Sequence, residues 1–391
     1  MGLGTLKIEF NFGLIEVLSK GLNWITLPIL ALIVSPDFYG EIVYYFIFIV
    51  LCSTIMLFGQ GRFLLQSKNS DIDDNLIKTI IVSFVIFNLM ALGFYFYGSG
   101  DLKYYLVLMC AFLLTVYTNY SLKFRILNKP KQFLLCRTYY LVRFLVFLGF
   151  FSFYNKIILY YFYIELFLLF LYNLFLFKFK YVSLTGFFLL FKSGFFLTIY
   201  GCAMYIIMNF DKLHIGYFFE KKLLAEYALA FSAATSIGFI SSYFSIKYER
   251  EIYISSNYNE AIQVSQKFLK STIISSLIVS PFICLAYYFY AIHVGIELNI
   301  GAFFGILIGQ LLYFVFLSNS FLQTYLRNNY FLMILSVIIL VLNIFGNVLL
   351  IDLLEINGAV VVNLISFFLM AVLVCLYSRY REKNDFFNSL Y

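Results

Sequence analysis

FLMILSVIILVLNIFGNVLLI at residues 331–351 and GAVVVNLISFFLMAVLVCLYS at 358–378 contain no Asp, Glu, Lys or Arg, and only DLLEIN at 352–357 separates them. Each run is 21 residues long. As helix that is about 31 Å, the thickness of the roughly 30 Å hydrocarbon core of a bilayer. Backbone groups in lipid must be bonded internally, by helices or by a closed barrel. Barrel strands alternate apolar and polar residues, and these runs do not, so they read as two membrane helices joined by a tight hairpin. Working back towards the N-terminus gives ten more such segments: 13–34, 42–60, 77–97, 104–122, 133–153, 158–177, 188–210, 225–246, 271–291 and 301–322. The chain is therefore an all-α polytopic membrane protein with about 12 transmembrane helices. A composition of 63% hydrophobic and 12% charged residues over 391 positions leaves no room for a sizeable soluble domain.

The basic residues are distributed unevenly between the two faces. One set of gaps and segment ends holds Lys7, Arg62, Lys68, Lys78, Lys123, Arg125, Lys129, Lys131, Lys178, Lys180, Lys192, Lys247, Arg250, Lys267, Lys270, Arg327, Arg379, Arg381 and Lys383. The alternate gaps hold Lys103, Lys156, Lys212, Lys221 and Lys222. Nineteen against five places both termini in the cytoplasm by the positive-inside rule. The net charge of +7 then reflects cytoplasmic loops and not nucleic-acid binding. The 50 Phe and 34 Tyr are spread along the chain and read as lipid-facing and interfacial bulk.

A short motif recurs. Phe38-Tyr39-Gly40-Glu41-Ile42-Val43-Tyr44 follows the first segment, and Leu223-Leu224-Ala225-Glu226-Tyr227-Ala228-Leu229 follows the seventh, with the acidic residue 185 positions later. Two parallel six-helix halves, 1–181 and 182–391, account for this spacing, an arrangement common among transporters.

Ionisable residues inside membrane segments mark a pathway or a pair. Glu16, Lys20 and Asn23 share one face of the first segment, in the favourable Glu-before-Lys order. Lys20 is roughly 10 Å into the segment, and Pro28 beyond it should kink the helix. In the fifth segment Arg137 and Arg143 diverge by about 120°. Arg137 is near the cytoplasmic end. Arg143 is near the middle and needs a water-filled cavity, an anionic ligand, or an acidic partner such as Glu165 of the sixth segment. Asp211-Lys212 closes the seventh segment, with an interfacial cap as the simplest reading. Asn343 and Asn347, and likewise Thr115 and Asn119, share helix faces where bonds between helices are expected.

Enzyme chemistry finds no support. The two histidines, His214 and His293, lie in or near outside gaps, and no His, Cys and carboxylate grouping has metal-ligand spacing. Gly186–Ser193 ends in Lys192-Ser193 but has Phe191 where a phosphate loop needs Gly. Asp71-Ile72-Asp73-Asp74 reads as a polar loop. All six Cys lie within apolar runs as small core residues. No cofactor or metal is expected.

Three stretches carry a family resemblance. LPILALIVSPDFYGEIV (27–43), FDKLHIGYFF (210–219) followed by EYALAF (226–231), and LNIFGNVLLIDLLEINGAVVVNLIS (342–366) resemble, in order, parts of the polysaccharide or O-antigen flippases, the Wzx-type translocases. The resemblance implies the multidrug/oligosaccharidyl-lipid/polysaccharide exporter fold, two six-helix lobes around a central cavity. It implies an undecaprenyl-pyrophosphate-linked oligosaccharide, an O-antigen or capsule repeat unit, moved by alternating access to the outer leaflet of a bacterial inner membrane. A polysaccharide polymerase and a chain-length regulator would be its partners in lipopolysaccharide or capsule assembly. An anionic pyrophosphate needs a cationic cavity, for which Lys20, Arg137, Arg143 and Lys192 are the candidates. Glu16, Glu165, Asp211 and Lys212 are candidates for ion coupling or pairing. The rivals are a multidrug or cation antiporter of the same fold, which should prefer an acidic cavity, and a membrane polysaccharide polymerase, which would need a large outside loop.

Overall fold

The computed structural model describes residues 12–22, 33, 36–59, 64–65, 71–96, 102–153, 158–176, 187–219, 221–294 and 298–388. The described residues are helical almost throughout. The helices are α1 (12–22), α2 (Pro36–Leu57), α3 (Ile72–Phe96), α4 (Leu102–Ile126), α5 (Pro130–Phe153), α6 (Ile158–Leu176) and α7 (Phe187–Ile207). They continue as α8 (Phe210–Phe218), α9 (Lys221–Thr235), α10 (Gly238–Ile254), α11 (Tyr258–Val294), α12 (Ile300–Tyr325), α13 (Asn329–Leu354) and α14 (Ile356–Asn388). Among the described residues nine helices are long and apolar enough to cross a membrane, taking α9–α10 together, or ten if the bent pair α7–α8 is one span. Each of the twelve apolar segments falls on these helices or on their described parts, the eighth covering both α9 and α10. Pro28 and Asn23 lie outside the described residues.

The chain divides into two compact units, Met1–Cys202 and Ala203–Tyr391. Each has the same internal plan. In the first, α4 packs against α2, α3, α5 and α6. In the second, α12 packs against α9–α10, α11, α13 and α14. Each hub touches the two spans before it and the two after it, with α9–α10 counted as one. Glu41 and Glu226 are each the sixth residue of the corresponding helix, α2 and α9. The seven-residue motif thus falls at matching positions on the two helices.

Lipid tails are as apolar as leucine, so close backbone approach and polar contacts hold such hubs together. Cys110, Ala111, Thr115 and Ser121 are buried on α4; Ala302, Gly309, Ser318 and Ser320 are buried on α12. Ser53 and Thr115 hydroxyls meet at 3.0 Å between α2 and α4. Ser265 and Ser318 meet at 2.7 Å between α11 and α12. Gln323 Nε2 donates to Ser378 Oγ at 2.9 Å between α12 and α14. Asn343 Nδ2 donates to Ser366 Oγ at 3.0 Å between α13 and α14, and Asn347 Nδ2 donates back to Asn343 Oδ1 at 2.9 Å. At Gly305 on α12 any Cβ would collide with the side chain of Val360 on α14, so glycine is what allows this close crossing.

Two elements differ from expectation. Helix α11 begins at Tyr258, 13 residues before its apolar run. This extension is held by Ala261 and Phe268, packed in one cluster with Ile252 of α10 and Phe321 and Leu322 of α12. Its start is capped: Asn257 Oδ1 accepts from Glu260 N at 2.9 Å, and Glu260 Oε2 accepts from Ser256 N at 2.9 Å. The seventh segment is not one straight span. It breaks at Met208-Asn209 and resumes as α8 at an angle of 44°.

Candidate functional site

Helix α5 sends its two arginines to different partners because six residues turn the helix by about 120°. Arg137 reaches α1, where its Nη2 is 2.6 Å from Glu16 Oε2. Glu16 Oε1 is also 3.3 Å from Lys20 Nζ, one turn along α1. Arg137 Nη1 lies 3.4 Å from the Tyr140 hydroxyl, and the guanidinium stands 5.0 Å from the Phe133 ring centroid. One buried carboxylate therefore serves two cations. Lys20 is its accessible member, with 43% of its side chain exposed.

Arg143 faces α6. Its Nε donates to Glu165 Oε2 at 2.8 Å, and its Nη2 donates to the Tyr161 hydroxyl at 3.4 Å. Tyr139 donates its hydroxyl to the other oxygen, Glu165 Oε1, at 2.6 Å. The rings of Phe147 and Phe46 flank the guanidinium at 4.9 and 5.5 Å. Arg143 is 2% exposed. Of the alternatives open for this residue in the sequence, pairing with Glu165 is the one the geometry makes. Tyr139, four residues before Arg143, lies on the same helix face.

The second unit holds a carboxylate at greater depth. Asp211 is 0% exposed. Its Oδ2 accepts from the Tyr227 hydroxyl of α9 and, at 2.7 Å, from Asn363 Nδ2 of α14. Asn363 Nδ2 also lies 3.0 Å from the Tyr227 hydroxyl. Asp211 Oδ1 accepts from Lys212 N at 2.7 Å and lies 3.6 Å from Lys212 Nζ. Among the described residues the buried Asn363 and Asn347 Oδ1 atoms have no hydrogen-bond partner. One turn along α8, His214 Nε2 is 3.6 Å from Asp352 Oδ1 at the end of α13. Tyr227 and Asn363 were not singled out in the sequence. They stand 16 and 152 positions from Asp211, and no local pattern links them.

The structure thus brings Glu16, Lys20 and Arg137 together, Arg143 to Glu165, and Asp211 to Lys212. The side chain of Lys192 lies outside the described residues. Thr115 makes its expected contact, whereas neither polar atom of the buried Asn119 side chain has a hydrogen-bond partner among the described residues.

No protein-family model matches the sequence, and no curated protein matches it. The fold does have solved counterparts. A MATE protein in its straight conformation superimposes with a TM-score of 0.66 at 13% identity, over 96% of this chain and 94% of the other. The outward-facing conformation of a multidrug resistance MATE family transporter of the MOP superfamily gives 0.62 at 13% identity, with the same coverage. A MOP superfamily transporter from Pyrococcus furiosus gives 0.66 at 13% identity, again with the same coverage; its binding pocket is described as of reverse polarity, suggesting a different function. The chain is a multi-pass membrane protein with the all-helical fold of these MATE-type exporters.

Proposed function

We propose that this protein is a flippase that carries an undecaprenyl-pyrophosphate-linked oligosaccharide from the cytoplasmic to the outer leaflet of a bacterial inner membrane by alternating access. The observation that carries the reading is the meeting of two cations, Lys20 and Arg137, at the buried carboxylate of Glu16. A buried charge inside a membrane segment is costly and marks a pathway, and an excess of cation is what an anionic diphosphate requires. Arg137 has the planar, permanently charged fork suited to phosphate, and Lys20 supplies an accessible point charge. The lipid tail would stay in the bilayer while the head group crosses. The likeness in fold to exporters supports transport in general, and the resemblance of the three sequence stretches supports this substrate.

The test is the sidedness of lipid-linked oligosaccharide after depletion. Complete units should accumulate on the cytoplasmic leaflet and surface glycan should disappear. In everted vesicles, K20Q should slow flipping about tenfold, the effect of one charge-assisted contact of about 1.5 kcal/mol. Unchanged sidedness after depletion would overturn the reading. A multidrug or cation antiporter is the second reading, and the buried Asp211 favours it. Drug sensitivity on depletion, with the glycan intact, would move it to the front.

A further inference from the structure

The break between α7 and α8 has an unusual hydrogen-bond pattern. In a continuous helix the N–H of Lys212 would donate to the carbonyl of Met208, four residues back. Here that N–H donates to Asp211 Oδ1 at 2.7 Å instead. The Met208 carbonyl is taken by the other end of the same residue: Lys212 Nζ donates to it at 2.6 Å. The ammonium also donates to Asn209 Oδ1 at 3.2 Å and lies 3.6 Å from Asp211 Oδ1. The Phe231 ring closes the remaining side, with its centroid 3.4 Å from Nζ. The lysine side chain is 10% exposed.

These are the components of a monovalent-cation site. A helix C-terminus carries partial negative charge, and carbonyls at the ends of interrupted membrane helices coordinate cations. An anionic carboxylate and an aromatic face complete the surroundings. An ordinary ion pair would place the ammonium closest to the carboxylate. Here its shortest contact is the freed carbonyl, and Asp211 is held mainly by Tyr227, Asn363 and the backbone.

We infer that the ε-ammonium of Lys212 is the resident cation of a site formed by the Met208 carbonyl, Asn209 Oδ1, Asp211 Oδ1 and the Phe231 ring. While the lysine is in place the site takes no soluble cation, and without it the same oxygens accept sodium, potassium or ammonium. The inference rests on the broken span alone and not on the identity of the substrate, so its failure leaves the flippase reading standing.

The experiment measures thermal unfolding of the full-length protein in nanodiscs, with choline chloride replaced by NaCl, KCl or NH4Cl at constant ionic strength. The wild type should unfold at one temperature in all four salts. K212A should unfold at a lower temperature in choline and recover saturably in at least one of the other cations, since a ligand bound only to the folded state stabilises it. The double variant D211N/K212A should lose that recovery. A saturable cation response of the wild type would overturn the inference, as would a folded K212A that ignores all three cations. Should K212A fail to fold, K212R, which retains the charge, is expected to be as indifferent to cations as the wild type. A cation-responsive K212R would likewise overturn the proposal.

Discussion

Arg143 and Glu165 face each other among aromatic rings, with Tyr139 and Tyr161 completing their hydrogen bonds. Removing one member of such a buried pair leaves an uncompensated charge, so R143A should destabilise the protein by about 3–5 kcal/mol. Replacing both by apolar residues of similar volume, as in R143M/E165M, should return stability close to wild type. Thermal unfolding of purified protein checks both outcomes. If the pair is structural, the double variant also keeps transport; a stable but inactive double variant would return Arg143 to the substrate path. The sequence offered this pair among its alternatives because a mid-membrane arginine must find an anion. Tyr139 and Tyr161 stand four residues before Arg143 and Glu165 on the same helix faces, and each bonds the charged residue of the other helix. Asn363 was not legible, since its approach to Asp211 depends on the packing of α14 beside α8 and α9 and on nothing local.

At the level of elements, helix α12 does most to organise its unit, and its contact with α14 depends on a missing side chain. G305V should drive a branched side chain into Val360 and destabilise by about 1–3 kcal/mol, the usual effect of overpacking. Adding V360A should restore part of that loss, measured as the unfolding temperature of the single and double variants. The twelve apolar runs were readable because hydrocarbon thickness sets their length. The break in α7–α8 was not readable from composition, as no Pro or Gly stands at Met208-Asn209. At the break Asp211 accepts the backbone N–H of Lys212, a matter of side-chain geometry. The early start of α11 was missed for a different reason. A hydropathy window stops where the apolar run stops, whereas this helix continues for about 20 Å on an amphipathic face packed against α10 and α12.

Across the whole molecule, two independent patterns bear on orientation. The acidic residue of the short motif recurs at the sixth position of α2 and of α9, 185 positions apart, a spacing that two parallel six-helix halves would give. The Lys and Arg bias, counted over alternate gaps, assigns the basic face to the cytoplasm. Together they predict that the capped turn between α10 and α11 is cytoplasmic and the turn between α13 and α14 is outside. Ser256 is exposed in the first turn, and Leu353, 76% exposed, stands at the end of α13 beside the second. In right-side-out vesicles a membrane-impermeant maleimide should label L353C directly and S256C only after permeabilisation, with the native cysteines replaced beforehand. The reverse pattern would invert the chain. An inverted chain would open the Glu16, Lys20 and Arg137 end of the first unit to the outside, where the diphosphate of a newly made lipid-linked unit is not delivered. The direction of the proposed transport therefore depends on this labelling as directly as on any transport measurement.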